Sequence, residues 1–380
     1  MKNVFVVSPE LGYGGTDAVA VSILDALKDD HAVEFISTRK PDFKALNEFF
    51  KSSIDNKISV RKISVPFLFE SSSRARLLKQ HLLMRYCKRN KNKAGLFISS
   101  YGEMDFGVRG IQYIHFPEVV CEAKFVLNSF FYKRSPVRSF YQYVCKLVSG
   151  YSDNNVKSNL TLVNSQWTKK IVDKLYGIDS IVVYPPVLED CTEVSWRDKK
   201  NGFIFIGRIS PDKRPLDCIK IIKKIREKGV DTHIHIIGNA GLDGAYVNAV
   251  KKESELNPSW VFYEGKVSRD RLRELISSHK YGINGKKFEH FGIAIAEMAC
   301  AGNIVFVNDD GGQVEIVGKN EALIYHSEDD AVNKIEAVLK SDNLQQSLLG
   351  SLKQSGALYS KESFVRQIRG IVERFLESKT

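Results

Sequence analysis

Cations and carboxylates placed just after apolar, strand-like runs are the residues here with the means to handle a phosphate ester. Arg208 follows the run Phe203-Ile204-Phe205-Ile206 and Gly207, and Lys213 lies five residues further, on a loop ending at Pro215. Such a pair can neutralise the roughly two negative charges of a diphosphate and donate hydrogen bonds to it. The bland alternative is two solvated surface cations. Glu289 and Glu297 are spaced E-x7-E around His290-Phe291-Gly292-Ile293-Ala294-Ile295-Ala296. A helix starting at Gly292-Ile293 presents unpaired backbone N–H groups at its first turn, beside Glu289. Glu297 is the only charged residue from Phe291 to Ala301. A buried carboxylate needs a partner or an opening onto ligand, and ribose hydroxyls are suitable donors. The competing reading is one solvent-facing helix position, which the apolar flanks disfavour.

The first half of the chain holds three further features. Gly12-Tyr13-Gly14-Gly15 follows the run Val4 to Val7. Glycines let a backbone approach a ligand, and the helix start beyond them favours negative charge. Asp17 stands where G-x-G-x-x-G needs its third glycine, and Ser37-Thr38-Arg39, without an acid, closes the second strand. A nicotinamide dinucleotide site is therefore disfavoured, and a plain tight turn competes. His115 ends the predicted strand in Gln112-Tyr113-Ile114-His115-Phe116-Pro117-Glu118. A lone histidine there is as readily a packed or capping residue as a catalytic one. From Ser71 to Lys93 there is no acid, while Arg74, Arg76, Lys79, Arg85, Lys88, Arg89, Lys91 and Lys93 interleave with Leu77, Leu78, Leu82 and Leu83. The pattern predicts a basic amphipathic helix suited to an anionic membrane surface, or else a solvated helix whose leucines pack on their own domain. Nucleic acid is a weaker choice, since no reader motif accompanies the charge.

The elements that must hold these residues repeat as strand, small-residue turn and helix. Strands are expected at 4–7, 33–37, 96–99, 111–115, 161–164, 203–206, 234–237, 261–263, 281–284 and 304–307; helices at 18–27, 218–228, 269–279, 293–301 and 361–379. Alternation of this kind, with strands apolar throughout, predicts an α/β protein with parallel sheets covered on both faces. Ligands then belong at the carboxyl ends of the strands. At about 150 residues per domain, 380 residues suggest two domains. Tyr184-Pro185-Pro186 and the polar stretch Glu189 to Asn201 predict a break. The expected division is 1–185, a linker at 186–200, 201–360, and a lone amphipathic helix at 361–380.

Composition narrows the class. The chain is 43% hydrophobic and 27% charged, which is globular. No run approaches the roughly 18–20 apolar residues of a spanning helix, and Val4 to Val7 is too short for a signal-peptide core. The expectation is a protein of the cytoplasm, or of a membrane surface facing it. The six cysteines form no C-x-x-C pair, so free thiols are expected and neither a disulfide framework nor a zinc site is. The net charge of +11 favours anionic partners.

Taken in order, the Gly14-Gly15 turn, His115, Gly207-Arg208 with Lys213, Glu264-Gly265, Glu289 with Glu297, and Gly311-Gly312 resemble the retaining glycosyltransferases of family 4. The resemblance covers nearly the whole chain and is densest from Phe203 to Val317. Glu289-His290-Phe291-Gly292-Ile293, Tyr113-Ile114-His115-Phe116-Pro117, Asn164-Ser165-Gln166-Trp167-Thr168 and Val183-Tyr184-Pro185-Pro186 make it most similar to the cytoplasmic-face mannosyltransferases that extend lipid-linked oligosaccharide. Two departures stand out: Gln313 where the family usually has proline, and His290 where it usually has glycine.

The resemblance implies the GT-B fold: two Rossmann-like domains facing each other across a cleft, the N-terminal one on the acceptor side and the C-terminal one holding the donor. The final helix would cross back to the N-terminal domain. It implies transfer of a sugar, with retention, to a hydroxyl of a glycan or glycolipid. The implied donor is GDP-mannose, with no metal and no cofactor beyond that nucleotide sugar, and the lack of an Asp-x-Asp motif agrees. Arg208 and Lys213 would hold the diphosphate and stabilise the leaving group, with Gly292 and Ile293 adding backbone donors. Gly207, Gly238 and Phe291 belong to the implied donor site. Glu297 would hold the ribose, Glu289 would touch the transferred sugar, and His115 would sit near that sugar's hydroxyls. Gly14 and Gly15 would let the first domain close on phosphates or acceptor. The rivals are a UDP-sugar-dependent transferase of the same family, a sugar-nucleotide 2-epimerase, and a membrane-docked nucleotide-sugar-binding module without catalysis. Peripheral contact with an anionic membrane through 71–93 and a homodimer are left open, and nucleic acid is not expected.

Overall fold

The structure is a computed structural model that describes residues 2–54, 57–70, 75–117, 136–187 and 194–378. Internal contacts divide the chain into two units, residues 1–186 with 361–380, and residues 187–360.

In the first unit, β1 (Asn3–Val7), β2 (Ala32–Ser37), β3 (Ser59–Lys62), β4 (Leu96–Ser99), β5 (Ile111–Ile114), β6 (Leu160–Val163) and β7 (Ile181–Val182) form one sheet in the order β3-β2-β1-β4-β5-β6-β7. Every pairing in it is parallel. The inner strands are buried on both faces, which is why their sequences are apolar throughout rather than alternating. The Gly15–Leu27 helix carries the chain from β1 to β2 and buries Val19, Ile23 and Leu27. Strand order reverses between β1 and β4, so the loops after those strands flank the switch point of this sheet.

The basic stretch folds as the Arg76–Arg89 helix, while Arg74 lies outside the described residues. Leu83, Met84 and Cys87 enter a core with Phe5, Val7, Ile36, Phe97, Met104 and Phe106. Two of its cations also turn inward: Lys79 lies 3.6 Å from Glu10, and Lys88 lies 2.6 Å from the fully buried Asp105. The apolar side of this helix is therefore spent on its own domain, and only Arg76, Arg85 and Arg89 among its cations are exposed. The final helix, Lys361–Glu377, buries Phe364, Ile368, Ile371 and Phe375 in the first unit, and Arg369 Nε donates to Ala26 O at 2.7 Å.

In the second unit, β8 (Lys200–Ile206), β9 (Ile234–Ile237), β10 (Val261–Gly265), β11 (His279–Asn284), β12 (Ile304–Asn308) and β13 (Ile324–Tyr325) form a parallel sheet in the order β10-β9-β8-β11-β12-β13. Here the order reverses between β8 and β11. Val187 pairs with Ser360, and residues 194–199 pack on the second unit. Trp196 donates to Gln345 Oε1 at 3.0 Å and sets its ring edge-on to Tyr281, while Lys199 donates to Ala301 O at 2.9 Å. One large aromatic in a polar run anchors it.

Candidate active site

The loops after β8 and β11 meet at the switch point of the second sheet, and the glycines there make the approach feasible. Gly207 N–H donates to Ile237 O at 2.9 Å and Gly238 N–H to Gly265 O at 2.8 Å, tying the carboxyl ends of β8, β9 and β10 together. Gly238 has φ 149°, and a Cβ on it would stand 1.9 Å from Gly207 O, so no other residue fits. Arg208 is exposed on this loop, and its guanidinium has no partner among the described residues. Lys213, further along, places Nζ 2.5 Å from Glu289 Oε2.

Glu289 is only 8% exposed and has a second cation, Lys286 Nζ, 3.4 Å from Oε1. Burial alone would raise its carboxyl, but Lys213 first, then Lys286 and His290, outweigh burial and hold it at about 2. The backbone around it is pinned. Phe288 N–H donates to Asp310 O at 3.1 Å and Gly312 N–H to Glu289 O at 2.7 Å. Gln313, fully buried, donates its side-chain amide to the carbonyls of Lys286 at 2.8 Å, Asn308 at 3.0 Å and Asp310 at 3.1 Å. The glutamine that stands in place of proline thus clamps the Glu289 loop to the end of β12.

Gly292 caps the Ile293–Cys300 helix with φ 103°. The first ladder bonds run from Ile295 and Ala296 back to Gly292 O, so the N–H groups of Ile293 and Ala294 precede the helical ladder. Phe291 is buried with its ring against Tyr359, so its side chain packs inside the unit. Glu297 does have a protein partner: Arg269, the first residue of the Arg269–Ser278 helix, reaches Glu297 Oε1 at 2.9 Å. Neither Arg269 nor Lys286 was foreseen. The hint was a basic residue in each turn that follows a strand and a glycine, Gly265 before Arg269 and Gly285 before Lys286.

Gly14, Gly15 and His115 lie in the first unit. Gly14 is the residue before the first helix, and its N–H donates to Asp17 Oδ2 at 2.8 Å. Asp17, at the position that rules out a dinucleotide fingerprint, folds back to cap that helix with its own carboxylate. His115 Nε2 donates to Ser100 O at 3.0 Å, and Ser100 N–H donates to Val7 O at 3.1 Å, so the histidine is tied to the switch point of the first sheet. Burial lowers its imidazole to about 4, leaving it neutral at physiological pH. The motif residues gather around it. Asn164 donates to His115 O at 3.0 Å, Phe116 stacks on Trp167, and Tyr113 O–H donates to Val183 O at 2.6 Å.

Residues 187–349 match the family model described as glycosyl transferases group 1. A GDP-Man:Man(3)GlcNAc(2)-PP-Dol alpha-1,2-mannosyltransferase of Dictyostelium discoideum is 29% identical over 43% of this chain and 36% of its own length. The Homo sapiens protein of the same name is 24% identical over 70% of this chain and 60% of its own length. The chain thus spans about a third to three fifths of these curated relatives. Among solved structures, sucrose-phosphate synthase from Thermosynechococcus elongatus superposes with a TM-score of 0.73 at 14% identity, covering 100% of both chains. A glycosyltransferase from Rickettsia africae gives 0.69 at 15% identity, covering 99% of this chain and 98% of that chain. At that identity the likeness speaks to the fold alone: two Rossmann-like parallel-sheet domains of the GT-B class.

Proposed function

We propose, from the premise that this chain carries a glycosyl transferases group 1 domain, that it transfers mannose from GDP-mannose to a hydroxyl of a lipid-linked glycan, with retention of anomeric configuration. The observation that carries the reading is the arrangement at the β8–β11 switch point. It combines an Arg208 without a side-chain partner among the described residues, Lys213 and Lys286 around the buried Glu289, and a helix N-terminus at Gly292-Ile293. Fixed cations and backbone N–H groups are what a departing nucleoside diphosphate requires. The sugar's C1–O bond to the β-phosphate breaks and its electron pair goes to the phosphate oxygen. The acceptor oxygen bonds to C1 on the same face, and its proton passes to the departing phosphate. Charge on that phosphate is met by Arg208 and Lys213, so the roles assigned here ask nothing of a metal. Glu297, held by Arg269, is assigned to the ribose, and Glu289 to the sugar's hydroxyls. The roles that the sequence resemblance implies for His115, Gly14 and Gly15 belong to residues of the first unit. The donor is inferred from the names of the relatives, and a UDP sugar is the alternative.

Membrane contact fits a lipid-linked acceptor. The Pro136–Ser149 helix exposes Val137, Phe140, Tyr143 and Leu147 beside the Arg76–Arg89 helix, to which it is joined by Leu78 N–H donating to Tyr141 Oη. Among the described residues no helix is long and apolar enough to cross a membrane.

Calorimetric titration with GDP-mannose, UDP-glucose and UDP-N-acetylglucosamine tests the donor. Selective micromolar binding of GDP-mannose is expected. Arg208→Ala should lose at least about tenfold in affinity, a charged hydrogen-bond partner being worth about 1.5–3 kcal/mol. Because the exposed guanidinium holds nothing among the described residues, thermal stability should not change. Selective binding of a UDP sugar overturns the donor, and undiminished binding by Arg208→Ala overturns the diphosphate site.

A further inference from the structure

Away from this site the second unit gathers three imidazoles. His233 precedes β9, His235 lies on it, and His279 opens β11, with β8 between the two strands. The rings meet over Gly202 of β8, where a Cβ would stand 2.3 Å from His233 Nε2. One nitrogen from each ring lies within 4.8 Å of the others, and among the described residues this is the group of side chains so arranged for a metal ion.

Hydrogen bonding fixes which nitrogens are available. His279 Nδ1 faces Leu275 O at 2.7 Å, and a carbonyl only accepts, so Nδ1 carries the proton. His235 Nδ1 faces Glu264 Oε1 at 2.8 Å. Burial would raise the Glu264 carboxyl, but His235 and Arg271 lower it; as a carboxylate it also only accepts. Both rings therefore keep Nε2 as a lone pair. His233 Nε2 lies 3.1 Å from His279 Nε2 and donates to it. A carbonyl or carboxylate behind each ligating ring is the outer arrangement that orients metal-bound histidine. Burial lowers His233 to about 4 and His279 to about 3, so the rings are neutral at physiological pH.

We propose that His233, His235 and His279 form a binding site for a divalent transition-metal ion of the zinc type, distinct from the Lys213–Glu289 site. Tetrahedral zinc with nitrogen at about 2.0–2.1 Å separates its ligand atoms by about 3.3 Å, close to the spacing His233 and His279 already have. On binding, the proton shared between their Nε2 atoms moves to His233 Nδ1 and three lone pairs face the ion. No ring has to lose a proton, and water takes the fourth position. His233 is the partly exposed member and gives the ion its way in. The ion would clamp β9 and β11 to the Arg269–Ser278 helix, which packs through Leu275 on His279 and carries Arg269, the partner of Glu297. Its place at the amino ends of the strands, with Gly238 at the far end of β9, makes the ion structural and not a participant in transfer.

The test is calorimetric titration of the chelator-stripped 380-residue chain with Zn2+, followed by Co2+ absorption. One equivalent of Zn2+ should bind and raise the melting temperature, and Co2+ should give the intense visible bands of four-coordination. His233→Ala, at the exposed member, should weaken Zn2+ by more than about tenfold with an unchanged circular dichroism spectrum. Arg208→Ala should bind Zn2+ as wild type does. Failure of wild type to bind Zn2+, six-coordinate Co2+ bands, or equal affinity in His233→Ala overturns the site and leaves three core histidines. None of these outcomes bears on the donor site, which is read with nucleotide sugars in the presence of chelator.

Discussion

Glu289 keeps its charge in a nearly closed setting because two ammonium groups face it, and that makes its protonation a measurable part of stability. Its folded value is about 2 against an ordinary 4.5. The unfolded chain therefore takes up the proton first as pH falls. The contribution is full above pH ~4.5 and is lost as pH drops towards about 2, with a size on the order of 3 kcal/mol. Urea unfolding followed from pH 7 to pH 2.5 should show wild type losing that much more than Glu289→Gln; parallel curves would remove the pair from the account. Residue types in this site were legible in the sequence because Arg208, Lys213 and Glu289 each follow a strand-like run and Glu297 is the lone acid of an apolar helix. Their partners were not. A lone acid in an apolar helix announces a need, and only the fold says that Arg269, 28 residues away, meets it. The same limit hid the imidazole cluster, since cysteine spacing can be counted along a chain while His279 reaches His233 only across β8.

Strongly patterned elements, such as β1, β9 and the Lys361–Glu377 helix, were plain in the sequence. β7 and β13, two residues each, were not, because so short a strand has no period and exists only by pairing with a neighbour. The Gln313–Ile316 helix is a similar case. At its first position proline is tolerated, since the N–H there lies outside the helical ladder. Glutamine keeps the same backbone and adds three hydrogen bonds to carbonyls of the loops that hold Glu289. Gln313→Ala would leave buried carbonyls without those donors, at about 1–3 kcal/mol in all after local relaxation. We expect about 2 kcal/mol of lost stability in urea, and weaker donor binding because Lys286 and Glu289 lose their brace. Loss of stability with unchanged nucleotide-sugar affinity would make Gln313 a fold residue only.

For the molecule as a whole, the net charge of +11 leaves open whether charge or apolar contact would hold it to a lipid surface. The structure separates the two contributions. The buried Lys79 and the paired Lys88 offer little to a membrane, so the basic stretch is weaker than its sequence implied. Arg85 and Arg89 on the helix and Lys91 and Lys93 just after it remain exposed, with Arg76 lying over the Tyr101 ring, each worth about 1 kcal/mol near an anionic surface. Phe140 is 68% exposed and Leu147 62%, and inserting both contributes about 3–6 kcal/mol at about 1.5–3 each. Apolar insertion and charge should therefore contribute comparably, with charge selecting the lipid. Vesicles of phosphatidylcholine doped with anionic phosphatidylglycerol should pellet the protein. Phe140→Ser with Leu147→Ser should cost at least about a hundredfold in partitioning, and Arg85→Gln with Arg89→Gln about thirtyfold. Raising salt to about 0.5 M should erase the arginine effect and spare the apolar one, since screening acts on charge alone. If the serine pair binds vesicles as well as wild type, the Pro136–Ser149 face is not the docking surface, and the anionic selectivity must come from cations elsewhere on the chain.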